Sequence, residues 1–357
     1  MTRSDDNLGS AGADGALAAG AVMSVAAAAP TARKIRVLAL NTWHSGSKIS
    51  RGIELITDLV VSTQASVVLL SEATEATTAV AAELVRRGHE FNAVSSHDTG
   101  ILSVFPVEDS ADLQWMVKAR LNIDGKRLTV YSAHLEYRWY ASNLPRGYGP
   151  GAPAPGEFAE HEWNKLPEGP VTDPVVIERI NAASSRPEII SNFLADAKAE
   201  IADGSSVIIG GDLNEPSLLD WTPATANLFD HNGVVLAWET TRRLQQAGFI
   251  DAYRSMYPDP ATHPGLTWPS DNVDVDVSEL AWAPEADERD RVDYIFAHGD
   301  KLCLSAVGII GPRGSIVRGT RFQEPTQDNF LGSPAQWGSD HKGIFATYQL
   351  ASSDQGA

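Results

Sequence analysis

Cysteine is nearly absent from this chain of 357 residues: Cys303, within KLCLSAV, is the single one. One thiol excludes an intrachain disulfide and a tetrahedral cysteine zinc site. It reads most simply as a small core residue. Long apolar runs are missing as well, and no uninterrupted stretch reaches the roughly 20 residues that cross a bilayer as a helix. Positive charge is scarce: 28 Lys and Arg stand against 46 Asp and Glu, a formal net charge of −18. Phosphate neutralisation by a basic face dominates nucleic-acid affinity, so this balance disfavours nucleic acid as a partner. Clustered carboxylates suit a hard divalent cation instead. Ser/Gly linkers and internal repeats are lacking between 34 and 351, which favours one domain there over two. Oligomeric state leaves no trace in the sequence.

What is present is the composition of a soluble globular protein, 43% hydrophobic and 21% charged. Residues 1–33 differ, being rich in Ala, Gly and Ser, and read as a disordered tail or a vestigial signal segment. GALAAGAVMSVAAAAP looks like the apolar zone of an export signal, yet Asp5, Asp6 and Asp14 sit where such a signal carries positive charge. The expected location is soluble, cytoplasmic, or exported if that segment acts as a signal. Residues 352–357 read as a short C-terminal tail.

From Lys34 onward, strand-like and helix-like patterns alternate. IRVLAL (35–40), SVVLL (66–70) and SVIIGG (206–211) are short apolar runs of buried strands. The periodicity predicts helices over 49–61, 75–88 with Gly88 as its cap, 174–184, from Pro187 to about 204, and 240–248. Two alternating runs around Asp124-Gly125 predict a hairpin over 113–135. Late strands are expected at 291–298 and 343–350. Residues 139–173 form a long loop dense in Pro, Gly and aromatics (Trp139, Tyr140, Tyr148, Phe158 and Trp163), which argues against simple disorder. This mixture predicts α/β layers, paired sheets with helices outside.

Several of these strands stop in polar side chains. IRVLALN ends at Asn41, VVLLSE at Glu72, LTVYSAH at His134 and VIIGGDLN at Asp212 and Asn214. DRVDYI carries Asp293 inside an apolar strand, and GSDHKGIF opens the last strand with Asp340 and His341. A lone Asn or Asp at a strand end is usually a turn residue. A carboxylate between Val292, Tyr294 and Ile295 needs a partner, however, and six such endings are hard to read as six independent turns.

In order, LALNTW, LLSEA, YSAHLE, IGGDLNEPS, RVDYIF and GSDHKG resemble the motifs of the endonuclease/exonuclease/phosphatase (DNase I-like) superfamily, over about 36–350. The resemblance implies a four-layer α/β sandwich, two packed mixed β-sheets flanked by helices, filling a catalytic domain over 34–351. It also implies a Mg²⁺-dependent (or Mn²⁺-dependent) phosphoester hydrolase. Glu72 would be the main metal ligand, supported by Asn41 and Asp340. Asp212 would orient or deprotonate the attacking water and Asn214 would hold a phosphate oxygen. His341, its ring fixed by Asp293, and His134 would contact the phosphate. Ser71 stands before Glu72 where many relatives have Gln, and Leu213 replaces a common Phe; neither departure is expected to harm the chemistry. Thr74 stands where DNase I-like enzymes carry an Arg that grips DNA, which weakens a nuclease reading.

Loops set the substrate. Arg138, Arg146 and Arg186 are the candidate substrate-binding cations, although an Arg among aromatics more often packs on a ring. Arg289 and Arg291 read as a structural network with Asp287, Glu288 and Asp290. The expected activity is a phosphodiesterase or phosphatase acting on a small or lipid-derived phosphate ester. A metal-dependent nuclease is the first alternative, and a non-catalytic binding protein on the same fold the second.

Overall fold

The computed structural model describes residues 32–150, 163–332 and 334–351. The Ala-rich tail, Phe158 and the C-terminal tail lie outside the described residues. In chain order the strands are β1 (Arg33–Asn41), β2 (Val67–Ser71), β3 (Asn92–Ser95), β4 (Thr99–Ser103), β5 (Val107–Asp112), β6 (Met116–Ile123), β7 (Lys126–His134), β8 (Tyr148–Pro150), β9 (Trp163–Lys165) and β10 (Ser206–Asp212). They continue with β11 (Ile250–Asp251), β12 (Asp293–His298), β13 (Leu302–Ile310), β14 (Gly314–Val317), β15 (Thr320–Gln323) and β16 (Gly343–Leu350). Two six-stranded mixed sheets result, ordered β13-β16-β1-β2-β4-β3 and β11-β12-β10-β7-β6-β5. Two small hairpins, β14-β15 and β8-β9, stand apart from them.

The alternation of side chains along a strand explains the layering. Val37 and Ala39 of β1 join Val67, Leu69, Val130, Ile208 and Ile295 in the core between the two sheets. Leu38 and Leu40, one residue out of step, face away and pack on Ile56, Leu59, Val60, Val80 and Leu84. Those side chains belong to α1 (Gly52–Thr63) and α2 (Ala76–Arg86), where spacings of three and four keep them on one face. On the far side, Tyr131, Val207 and Ile209 of the second sheet cover Ile189, Ile190 and Phe193. Here the helix is α4 (Arg186–Ala202), preceded by α3 (Pro174–Ala182), whose first turn is capped by Asp173 accepting from the Val175 N–H at 2.9 Å. Asp124 and Gly125 both have positive φ, as the tight turn between β6 and β7 requires.

Cys303 corrects the sequence reading. It lies on β13, the edge strand, where alternate side chains leave the core, and it is exposed. That strand was not expected at all, because its first half carries no buried face.

The two glycines of VIIGGDLN have a physical reason. A Cβ on Gly211 would sit 2.1 Å from the Ala133 carbonyl oxygen and 2.9 Å from Ser71 Oγ, and its φ is +124°. Only glycine tolerates both. The sheets approach closely there, and polar side chains bridge them. Ser71 Oγ donates to the Ala133 carbonyl at 2.8 Å, and Ser132 Oγ donates to the Leu70 carbonyl at 2.9 Å.

Candidate active site

Strand register brings the polar endings together. β10 lies between β7, parallel, and β12, antiparallel, so His134, Asp212 and Asp293 stand side by side at one sheet edge. In the other sheet β1 runs parallel to β2 with Asn41 opposite Ser71, so Glu72 follows at the same edge. β16 runs antiparallel to β1, which returns Asp340 and His341 to that end. Ser339 Oγ donates to the Asn41 carbonyl at 2.7 Å and accepts from the His341 N–H at 3.0 Å, pinning this loop.

The backbone is bent to make the site. Glu72 has φ +51° and Asn214 φ +47°, and Trp43, His44 and Ser45 form a consecutive left-handed run. Such conformations are costly for these residues and cluster at functional sites. Thr42 Oγ1 donates to the Glu72 carbonyl at 2.7 Å, and the Ser45 N–H donates to the same carbonyl at 2.8 Å, which holds the bend.

Asn41, fully buried, separates two carboxylates. Its Nδ2 donates to Glu72 Oε1 at 3.1 Å and to Asp212 Oδ2 at 3.0 Å, while its Oδ1 accepts the Trp43 N–H. Glu72 Oε2 accepts the His44 N–H at 2.7 Å. Asp212 is positioned from both ends: its N–H donates to Ser71 Oγ at 3.0 Å, and its Oδ1 accepts the Asn214 N–H at 2.8 Å. Asn214 Nδ2 donates to the Leu135 carbonyl at 3.0 Å.

Two Asp–His pairs flank Asp212. His341 Nδ1 bonds Asp293 Oδ2 at 2.9 Å, leaving Nε2 3.8 Å from Asp212 Oδ2. His134 Nδ1 bonds Asp98, leaving Nε2 3.9 Å from both Asp212 Oδ2 and Glu72 Oε1. Each aspartate fixes the orientation of its ring and leaves the second ring nitrogen facing the cavity. Among the described residues, Asp212, Asp293 and His341 have ligand-type atoms all within 4.8 Å of one another.

Burial and charge set the protonation states in opposite directions. Burial pushes Asp212 up to about 6, although the His341 charge pulls against it. Burial also raises Asp340, and its Oδ1 has no hydrogen-bond partner. Glu72 is pushed up by burial too, but His134, the His44 N–H, His341 and Asn41 outweigh that and hold it low. For His134, burial lowers the pKa and the Asp98 bond with the Asp212 charge more than reverses it, to about 9. His341 behaves alike: burial opposes, Asp293 and Asp212 prevail, and it stands at about 10.

These groups form the floor of a cavity of about 500 Å³, whose walls include Trp43, Tyr137, Tyr140, Trp268 and Trp282. Two polar residues of its lining escaped the sequence reading: Asp98 sits in the SSHDTG turn and looks like any turn aspartate, and His44 is an exposed ring after a strand. Ser71, outside the lining, anchors the Asp212 N–H, a role that its place inside an apolar run did not signal.

Arg146 and Arg186 are corrected. Neither lines the cavity. Arg146 is buried with Nη1 2.6 Å from Asp290 Oδ2 and Nη2 3.1 Å from Asp290 Oδ1. Arg186 is buried under the 136–139 loop, donating to the Glu136 and Trp139 carbonyls and to Asn181 Oδ1. A guanidinium among aromatics was better used to tie loops together. Arg138 stands outside the cavity walls, its Nε 3.1 Å from Glu136 Oε1. Arg289 and Arg291 do form a structural network, with partly different partners: Asp287 and Glu324 for the first, Asp220 and Asp251 for the second.

Known proteins resemble this chain in sequence and in fold. Uncharacterized protein F14F9.5 of Caenorhabditis elegans is 26% identical over 332 residues, covering 89% of this chain and 92% of that protein. The structure of D. rerio TDP2 complexed with single strand DNA product superposes with a TM-score of 0.50 at 15% identity, over 89% of this chain and 99% of that one. The human Nocturnin catalytic domain with bound sulfate anion gives 0.49 at 12% identity, over 89% and 95%. The likeness to the D. rerio protein shows a shared DNase I-like fold. The model of the Endonuclease/Exonuclease/phosphatase family matches residues 38–341. The chain belongs to that family, whose members are generally metal-dependent phosphoester hydrolases.

Proposed function

We propose that this protein hydrolyses a small or lipid-derived phosphate ester by in-line attack of a water on phosphorus. The observation that carries this reading is Asp212, buried between two imidazole Nε2 atoms at 3.8 and 3.9 Å, each imidazole backed by its own aspartate. A carboxylate pushed up to about 6 is a competent base near neutral pH. The water oxygen bonds phosphorus as the ester P–O bond opposite it breaks. One water proton passes to Asp212, and the leaving oxygen keeps the electron pair and takes a proton from solvent. The Nε2–H groups of His341 and His134 donate to non-bridging oxygens where charge grows. Asn214 Nδ2 has a second N–H beyond the one given to Leu135, free to hold a phosphate oxygen.

The donors present fit a hard divalent cation. Glu72 and Asp340 offer carboxylate oxygens, and Asp340 Oδ1 is buried without a partner. Mg²⁺ (or Mn²⁺) held there would supply Lewis acidity to the phosphoryl oxygens. Asn41 supports it at one remove, since its amide already links Glu72 to Asp212. The test is hydrolysis of an aryl phosphodiester by EDTA-stripped protein. Turnover should require added Mg²⁺ and vanish in Asp212→Ala, while that variant still unfolds cooperatively. Wild-type rates in Asp212→Ala would sink the assignment.

A metal-dependent nuclease is the second reading. Its support is the aromatic wall, since rings are stacking platforms for bases. The net charge of −18 opposes it.

A further inference from the structure

The cavity is short of permanent positive charge. No Lys or Arg lines it among the described residues. Arg138, next to the Tyr137 of the wall, is paired with Glu136, and other guanidiniums of the surrounding loops are committed to carboxylates of their own: Arg146 to Asp290, Arg291 and Arg254 to Asp220, and Arg289 to Asp287 and Glu324. Residues 151–162, GAPAPGEFAEHE, contain Glu157, Glu160 and Glu162 and no Lys or Arg, and 1–31 contribute Arg3 alone. The cavity's own cations are His134 and His341, and each is matched by an aspartate. Beyond these pairs, its lining adds Glu72, Glu75, Asp212 and Asp340.

The walls are aromatic instead. Trp43, Tyr140 and Trp268 are buried, while Tyr137 and Trp282 are partly open at 39% and 51% exposure. The backbone that carries Trp282 is anchored by a buried carboxylate: Glu288 accepts the Trp282 N–H at 2.9 Å and the Ala283 N–H at 2.8 Å. Such rings contribute apolar contact area and stack on flat groups. A Mg²⁺ held by Glu72 and Asp340 would offset those two carboxylates, but Glu75 and Asp212 would still face a doubly charged phosphate that had to shed its water here.

We propose that this cavity selects a singly charged phosphodiester bearing a flat or apolar, uncharged substituent, and rejects doubly charged phosphomonoesters and polyanions. The proposal rests on the hydrolase reading for turnover, and on the cavity alone for binding. The experiment therefore has two arms, both on the full chain with Mg²⁺. In the first, calorimetry compares diphenyl phosphate with phenyl phosphate, neither requiring turnover. Diphenyl phosphate should bind at least about tenfold tighter, the equivalent of about 1.4 kcal/mol. In the second, kcat/KM is compared for bis(p-nitrophenyl) phosphate and p-nitrophenyl phosphate, with the diester favoured.

Two variants outside the catalytic groups sharpen both arms. Trp282→Ala should weaken diphenyl phosphate binding and raise the diester KM by about fivefold to tenfold, with kcat little changed. Glu75→Lys should move the ratio of the two affinities toward the monoester by about fivefold, a like charge having been replaced by an opposite one. Tighter binding of phenyl phosphate in the first arm, or indifference of both affinities to Glu75→Lys, overturns the proposal. Absence of turnover on either ester with the binding preference intact instead removes the hydrolase reading and leaves the charge selection standing.

Discussion

Ser71→Ala is the perturbation with the widest reach for one atom removed. Ser71 Oγ accepts the Asp212 N–H at 3.0 Å and donates to the Ala133 carbonyl at 2.8 Å, with all three residues buried. Ser132 is its natural control: it makes the reciprocal bridge, to the Leu70 carbonyl at 2.9 Å, and has no bond to Asp212. Losing the Ser132 bond should cost about 1 kcal/mol, the usual net worth of a buried hydrogen bond. Ser71→Ala loses a comparable bond and also leaves the Asp212 N–H buried without a partner, which adds about 1–3 kcal/mol. The expected totals are about 1 kcal/mol for Ser132→Ala and about 2–4 kcal/mol for Ser71→Ala, read from urea unfolding midpoints at constant slope. Activity separates them further. An unanchored Asp212 misplaced by about 1 Å can lose on the order of a hundredfold in rate. So kcat for an aryl phosphodiester should fall at least about tenfold in Ser71→Ala and stay within about twofold in Ser132→Ala. Equal stability losses together with equal kcat in the two variants would refute the reasoning.

Two more predictions concern buried charge. His231 is stacked on Trp221 at 3.7 Å, and burial with the Arg146 charge outweighs an opposing pull from the Thr225 backbone and holds its pKa down at about 2. The unfolded chain binds a proton below about 6.5 that the folded one refuses, so stability should fall as pH drops from there, by up to about 1.4 kcal/mol per pH unit. Unfolding across pH 7 to 4 should lose this component in His231→Phe; an unchanged slope would contradict it. Glu200 accepts from buried Lys118 at 3.0 Å and from Arg120 at 2.8 Å. Glu200→Ala should cost about 3 kcal/mol, since Lys118 keeps only Asp196 in a buried place. A loss under about 0.5 kcal/mol in urea unfolding would mean the cluster is better solvated than its burial indicates.

Much of the site was legible because strands end at one edge. Asn41, Glu72, His134, Asp212, Asn214, Asp340 and His341 follow or precede apolar runs and Asp293 interrupts one, and a polar group there must find a partner. Strand register then does the gathering, as the alignment of His134, Asp212 and Asp293 illustrates. Helices with apolar spacings of three and four were equally readable. What escaped lacked a local signal. Asp98 becomes a partner of His134 only through the fold, and nothing within SSHDTG marks it. The left-handed bend at Trp43–Ser45 contains no glycine until Gly46, so its backbone gave no sign. Cys303 misled because KLCLSAV reads as apolar, while β13 is an edge strand with half its side chains outside. Arg146 and Arg186 misled for a related reason: sequence places an Arg in a loop, but only packing decides whether it faces the cavity or ties the loop down.

The central claim is that water attacks phosphorus at Asp212. Its most direct measurement is turnover of an alkyl aryl phosphodiester with Mg²⁺ in ¹⁸O-labelled water, followed by mass spectrometry of both products. The account predicts one ¹⁸O in the released phosphate product, none in the released alcohol or phenol, and no product from Asp212→Ala. Label in the alcohol, or labelled phosphate formed at wild-type rate by Asp212→Ala, would contradict it.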